Sequence, residues 1–290
     1  MKFKDFASYW LETHACAHKE IGSVKGDRQM LRDHLVPRLG ERSVTSISAR
    51  DLAELQGELV KKEISRKTVN NIMGLLKKIL RSAVDWRYIE DHPGSSVKPL
   101  RIAPQAMRHW SERDQKKFLE WAMTRDRLIY EIVAVALYTG MRRGEMEALK
   151  RDCLNFEDKV IIVRRSVCST THEIRDHTKG KNIRMVPMND VVLEILRTRE
   201  RLPLDSLVLP CDYDHFVEKK FKPAQRSAGL ENVINFHALR HTFGTQMASK
   251  GVPLPLVKML MGHREIKTTM GYLHTDSKHL RGATDILLRG

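Results

Sequence analysis

The stretch Phe236-His-Ala-Leu-Arg-His-Thr-Phe-Gly-Thr-Gln-Met247 places apolar residues at 236, 239, 243 and 247, which at about 100° per residue fall on one face of a helix. Arg240 sits at the edge of that face. A guanidinium there must find acceptors or cost several kcal/mol, so an internal carboxylate or a bound anion is expected beside it. His237, one turn earlier, points to nearly the same place. A structural arginine paired with Asp or Glu accounts for this helix equally well when it is read alone.

Outward from this helix, the spacing predicts further helices over 189–201, 213–227 and 254–261, with shorter pieces around Tyr272 and over 276–288. Upstream the period changes. Val160-Ile-Ile-Val163 and Ile183-Arg-Met-Val186 are β-prone and predict a small antiparallel sheet. Ile132-Val-Ala-Val-Ala-Leu-Tyr138 is too short to span a bilayer and reads as a core helix ended by Gly140, while Ser111 with Asp114 caps an earlier helix. Between Pro93 and Pro104 the prolines and Gly94-Ser-Ser break any helical period and mark a domain boundary. Before it, four helices fit. Phe3, Phe6, Trp10 and Leu11 form one stripe; Met30, Leu31, His34 and Leu35 begin a second; Ser48 with Asp51 opens a third; the fourth carries Val69, Ile72, Met73, Leu76, Ile79, Leu80 and Val84. Lys61, Lys62, Arg66, Lys67, Lys77, Lys78 and Arg81 decorate the last two, as a DNA-facing surface or a merely solvated one.

The chain of 290 residues is long enough for two domains, and its 41% hydrophobic content is enough for real cores. No apolar run approaches membrane-spanning length, and Asp5 and Glu12 interrupt any secretory signal, so a soluble cytoplasmic protein is expected. Lys plus Arg number 51 against 36 Asp plus Glu, a net charge of +15. That excess favours a polyanionic partner, nucleic acid before an anionic membrane. Cys16, Cys153, Cys168 and Cys211 form no CxxC pair and read as reduced thiols. His14-Ala-Cys16-Ala-His18 and the trio Cys168, His172, His177 each lack a fourth ligand, so no metal is expected.

Other segments carry polar groups suited to an anion. Thr139-Gly-Met-Arg142-Arg143-Gly-Glu145 sets two glycines around two arginines just after the core helix. Thr178-Lys179-Gly180-Lys181 puts a cation in the turn between the strands. Gly262-His263 is followed nine residues later by Tyr272. Each alone has an ordinary explanation, as a solvated arginine, a hairpin lysine or a packed tyrosine.

Taken in order, these segments resemble the tyrosine recombinase (phage integrase) family, whose site combines Arg, Lys, His-x-x-Arg, His or Trp, and Tyr. The matches are the Arg142 box, Lys179 eight residues before Pro187, His237-Ala-Leu-Arg240, Leu260-Met-Gly-His263, and Tyr272. Ala238 and Met261 stand where many members carry Asp and a small residue such as Ser. The resemblance implies a mainly α fold with a small antiparallel β-sheet, in a two-domain clamp. Its parts are a helical core-site DNA-binding domain over 1–92, a linker over 93–108, and a mixed α/β catalytic domain over 109–290. Many phage integrases carry a small arm-site-binding domain ahead of the helical one; on this resemblance the helical domain would come first, as in a simpler recombinase.

The implied activity is site-specific DNA recombination without metal, cofactor or ATP. Tyr272 would attack phosphorus to leave a 3′-phosphotyrosine and a 5′-hydroxyl. Arg142 and Arg240 would hold the non-bridging oxygens, His237 would accept the phenolic proton, Lys179 would protonate the leaving 5′ oxygen, and His263 would donate to the phosphate. Glu145 would steer the arginine box or merely cap a helix. The implied partner is double-stranded DNA at attachment or core sites. A homotetramer would assemble on it, with a monomer as the alternative off DNA, leaving room for accessory DNA-bending proteins. The apolar end of 276–288, Ile286-Leu-Leu288, would pack onto a neighbour or fold back in cis.

An integrase of a phage or other mobile element is the favoured role, on the flavour of Ser65-Arg-Lys-Thr-Val-Asn-Asn-Ile and Ala83-Val-Asp-Trp-Arg-Tyr-Ile-Glu. A Xer-like resolvase of circular replicons is the alternative within the family. Outside it stand a non-catalytic DNA-binding regulator, which has no need of a nucleophile, and a metal-dependent nuclease, which needs a carboxylate cluster the sequence does not show.

Overall fold

A computed structural model describes residues 1–103, 107–176, 183–263 and 265–271, with the backbone alone at 266 and 267. The chain divides into two compact units, Met1–Gln105 and Ala106–Gly290.

The first unit is helical. Helix α1 (Phe3–Trp10) runs through a π turn at Leu11–Ala15 into Cys16–His18, and α2 (Ile21–Met30) does the same through Leu31–Leu35 into Val36–Leu39. Helices α3 (Ala49–Lys61) and α4 (Arg66–Asp85) follow. Ser48 and Asp51 form the predicted capping box at the start of α3, the Asp51 carboxylate taking the Ser48 N–H at 2.9 Å. Phe3, Phe6 and Trp10 of α1 are buried in one apolar core with Leu52 of α3 and Ile72, Leu76 and Ile79 of α4. The Trp10 indole N–H donates to the Ser82 hydroxyl at 2.9 Å, which satisfies the polar atom that burial of the ring carries inside.

The stretch after Pro93, read as linker, is held to this unit as far as Arg101. Val97 is buried, Asn70 exchanges two hydrogen bonds with the backbone of Leu100, and Lys77 donates to the Val97 carbonyl. Arg66 donates to the Arg101 carbonyl at 3.1 Å. Lys77 is therefore half-buried and engaged within the protein, unlike Lys61, Lys62, Lys67, Lys78 and Arg81, whose side chains are exposed.

In the second unit, α5 (Glu112–Arg125) starts at the Ser111–Asp114 capping box. Helix α6 (Arg127–Thr139) is buried along most of its length, and α7 (Arg143–Glu147) follows one sharp turn later. Strands β1 (Leu154–Asn155), β2 (Val160–Val163) and β5 (Arg184–Pro187) make an antiparallel sheet in the order β1-β2-β5. Between β2 and β5 lies a two-stranded hairpin of β3 (Ser166–Val167) and β4 (Ile174–Arg175). Val160 pairs with Pro187 and Val163 with Arg184. The predicted pair of strands is thus observed within a larger set of five among the described residues. Helix α8 (Asp190–Arg197) precedes α9, which runs from Tyr213–His215 through a π turn at Phe216–Phe221 into Lys222–Ser227. Helices α10 (His237–Ser249), α11 (Leu254–Met261) and α12 (Ile266–Met270) complete the described chain.

The core of this unit gathers Ile132, Val133 and Val135 of α6, Ile161 and Val186 of the sheet, and Phe221, Phe236 and Leu239. Among the described residues no helix is long and apolar enough to cross a membrane. The four cysteines are free thiols.

Candidate active site

Helix α6 ends at Gly140, whose φ of +61° is a left-handed conformation that residues bearing a Cβ avoid. A Cβ there would lie 2.4 Å from Cδ1 of Phe243, so glycine also lets α6 and α10 approach. The turn brings Arg142 to the N-cap of α7 in extended conformation. Glu145, three residues on, accepts the Arg142 backbone N–H at 2.8 Å through Oε2 and its guanidinium at 2.9 Å through Oε1. Capping the helix and steering the arginine, set out as alternatives for Glu145, are performed by the same carboxylate.

Arg184 completes this arrangement from β5. Along that strand Arg184 and Val186 face inward while Met185 and Pro187 face outward. Both ends of the Arg184 fork bind Glu145, at 2.9 Å to Oε1 and 2.6 Å to Oε2. Burial by itself would raise the carboxyl pKa of Glu145, but Arg184 and then Arg142 bring it down to about 2. Two guanidiniums share this one carboxylate, so the pair retains net positive charge.

Three arginines meet the end of α11. Leu260, Met261 and Gly262 offer carbonyl groups that no further helical turn can satisfy. Arg184 Nε donates to Leu260 at 2.8 Å, Arg240 Nη2 donates to Met261, and Arg142 Nη2 donates to Gly262 at 3.0 Å. The partial negative charge of a helix C-terminus suits cations there. Arg240, 3% exposed, also donates to the Gly140 carbonyl at 2.6 Å. The sequence predicts an internal carboxylate or a bound anion beside this residue, and two of its acceptors are main-chain oxygens. Gly262 turns the chain at φ +64°, with Arg184 atoms 3.0 to 3.2 Å from where a Cβ would stand.

His263 follows directly. Its Nδ1 is 2.9 Å from the Thr269 hydroxyl, and its imidazole is half-buried. Burial, then the charges of Arg240, Arg142 and Arg184, lower its pKa to about 4. His237 is the exposed first residue of α10, one turn before Arg240, and its ring stands at right angles to that of His241 with centroids 4.9 Å apart. Asn235 caps this helix start by accepting the Ala238 N–H at 2.9 Å. Arg142, Glu145, Arg240 and His263 therefore gather around the end of α11. Lys179, Tyr272 and the segment 276–288 lie outside the described residues.

Sequence reasoning missed Arg184 and Thr269. Period-two alternation through Ile183-Arg-Met-Val186 could have found the first, because it puts a charge on the same face as Val186. No local signal marks Thr269, whose partner lies across the turn after α11.

Residues 109–279 match the family model described as the phage integrase family. The chain is 26% identical to the ICEBs1 integrase of Bacillus subtilis (strain 168), over 91% of this chain and 77% of that protein. It is 24% identical to the tyrosine recombinase XerC of Chlamydia muridarum (strain MoPn / Nigg), over 74% of this chain and 69% of that one. Among solved structures, the Tn1549 transposon integrase in complex with transposon right end DNA superposes with a TM-score of 0.83 at 20% identity, covering 99% of this chain and 100% of that chain. A lambda integrase dimer bound to a COC′ core site gives a TM-score of 0.71 at 14% identity, covering 94% and 95%. At these identities the superpositions show the fold.

Proposed function

We propose, from the premise that this chain belongs to the phage integrase family and is a tyrosine recombinase that cuts and rejoins DNA, that it serves as the integrase of a mobile element and works through Tyr272. The observation that carries the site assignment is the convergence of Arg142, Arg184 and Arg240 on the end of α11 beside His263. A cation cluster fixed by main-chain oxygens and one carboxylate is suited to a phosphodiester anion.

In the proposed reaction the Tyr272 phenolic oxygen forms a bond to phosphorus while the bond to the 5′ oxygen breaks. The phenolic proton passes to His237, and Lys179 supplies a proton to the departing oxygen. Arg142 and Arg240 direct N–H groups at the non-bridging oxygens, where charge grows in the pentacoordinate transition state. His263 adds a neutral donor. A 5′-hydroxyl from another strand reverses the chemistry and completes exchange; one phosphoester replaces another, so no ATP is consumed. The mobile-element role is supported by likeness to the ICEBs1 and Tn1549 integrases, and a tetramer on paired sites accords with the lambda integrase tetramer bound to a Holliday junction. A cytoplasmic location follows from action on DNA.

A nicked suicide duplex bearing the core site tests the reading. Wild-type protein is expected to accumulate as a covalent DNA adduct, and Tyr272→Phe to bind the same duplex without forming one. Absence of adduct from wild type on every core-site substrate it binds would assign the chain to binding alone.

A further inference from the structure

Thr269, the fourth residue of α12, is fully buried, and its hydroxyl has one hydrogen-bond partner among the described residues, Nδ1 of His263 at 2.9 Å. Threonines in helices commonly return their hydroxyl proton to the carbonyl four residues back. Thr139 and Thr242 in the same unit do so, to Val135 at 2.6 Å and Ala238 at 2.9 Å. Thr269 turns toward the imidazole instead.

We propose that Thr269 is a positioning residue that fixes His263 as its Nε2–H tautomer, the form whose Nε2–H can donate to a non-bridging oxygen of the scissile phosphate. A hydroxyl carries one proton. If Nδ1 were protonated and donated to Thr269, the buried hydroxyl proton would have no acceptor among the described residues, and an unmade buried hydrogen bond is unfavourable. With Nδ1 accepting, the Thr269 hydroxyl proton has its acceptor. The imidazole is neutral at physiological pH because burial, Arg240, Arg142, Arg184 and His241 all oppose its protonation. A neutral ring has one N–H, so that proton resides on Nε2. The role in donation rests on the function proposed above; the tautomer assignment does not.

Long-range proton–nitrogen NMR of the full chain labelled with 15N-histidine, recorded without DNA, reads the tautomer directly, with His263→Gln identifying the resonances. Wild type is expected to show a pyrrole-type Nε2 and a pyridine-type Nδ1 at His263, Thr269→Ser to keep this pattern, and Thr269→Val to give averaged shifts of mixed tautomers. In the suicide-substrate assay Thr269→Val is expected to form adduct roughly tenfold or more slowly, as for other residues that orient a functional histidine, with Thr269→Ser restoring the rate and DNA affinity changing little. A pyrrole-type Nδ1 in wild type overturns the proposal, as does an unchanged tautomer in a folded Thr269→Val. Should the valine variant fail to fold, the wild-type and serine spectra decide. A wild-type Nε2–H tautomer in a protein that never forms adduct overturns the function reading and leaves the tautomer assignment standing.

Discussion

The buried guanidinium of Arg240 has a structural task beside the catalytic one proposed for it. Its two terminal nitrogens hold Gly140 and Met261 together through their carbonyls, and in the proposed reaction it also donates to the phosphate. Arg240→Ala is expected to slow adduct formation about 10²- to 10³-fold, the usual effect of removing a preorganised donor, while a core-site duplex still shifts on a gel. Equal loss of binding and cleavage would count against a transition-state role. Glu145 makes a second prediction at this scale. Its pKa falls from 4.5 to about 2 on folding, so its contribution to stability is complete above about 4.5 and is lost as pH drops toward 2. Glu145→Gln leaves Arg142 and Arg184 without their counter-charge at neutral pH, a change that typically costs about 3–5 kcal/mol for a buried pair. In urea titrations the gap between wild type and Glu145→Gln should be widest near pH 7 and narrow progressively below pH 4.5.

At the scale of elements, capping boxes, the buried α6 and its glycine stop were legible because each is written in neighbouring residues. The π turns within α1, α2 and α9 were not, since the helical period continues through them and only the hydrogen-bond register widens. The segment from Gly94 to Arg101 reads as linker by its prolines, yet Asn70 and Lys77 reach across to hold its backbone, and such tertiary contacts have no signature in sequence. Arg240 shows the same limit. Its burial could be deduced from the apolar stripe, whereas its acceptors belong to two helix ends, at Gly140 after α6 and at Met261 in α11. Gly140 supplies a test of how closely α6 and α10 are fitted. Gly140→Ala adds the strain of a left-handed alanine, about 1–2 kcal/mol, to a collision with Phe243, whereas Gly251→Ala at φ +77° meets no atom within 4 Å and adds the strain alone. Thermal melts should show a clearly larger loss for Gly140→Ala.

For the whole molecule, the +15 charge is the long-range counterpart of the arginine cluster. Binding to a core-site duplex should fall steeply with salt, with a log–log slope that counts the phosphates neutralised; six to ten of them would mean a loss of about 10³–10⁵ between 50 and 200 mM. A shallow slope would show that the excess charge serves something other than the duplex. The three carbonyls at the close of α11 also bear on which sequence changes this enzyme can absorb. Spacing among the guanidiniums is inherited from the pitch of a backbone, so main-chain oxygens set it, while the Met261 side chain packs separately in an apolar cluster with Phe243 and Val257. Deleting one residue within that last turn would swing each oxygen through about 100° and release all its ligands together. A fixed pitch and an intolerance to slippage are two faces of the same anchoring.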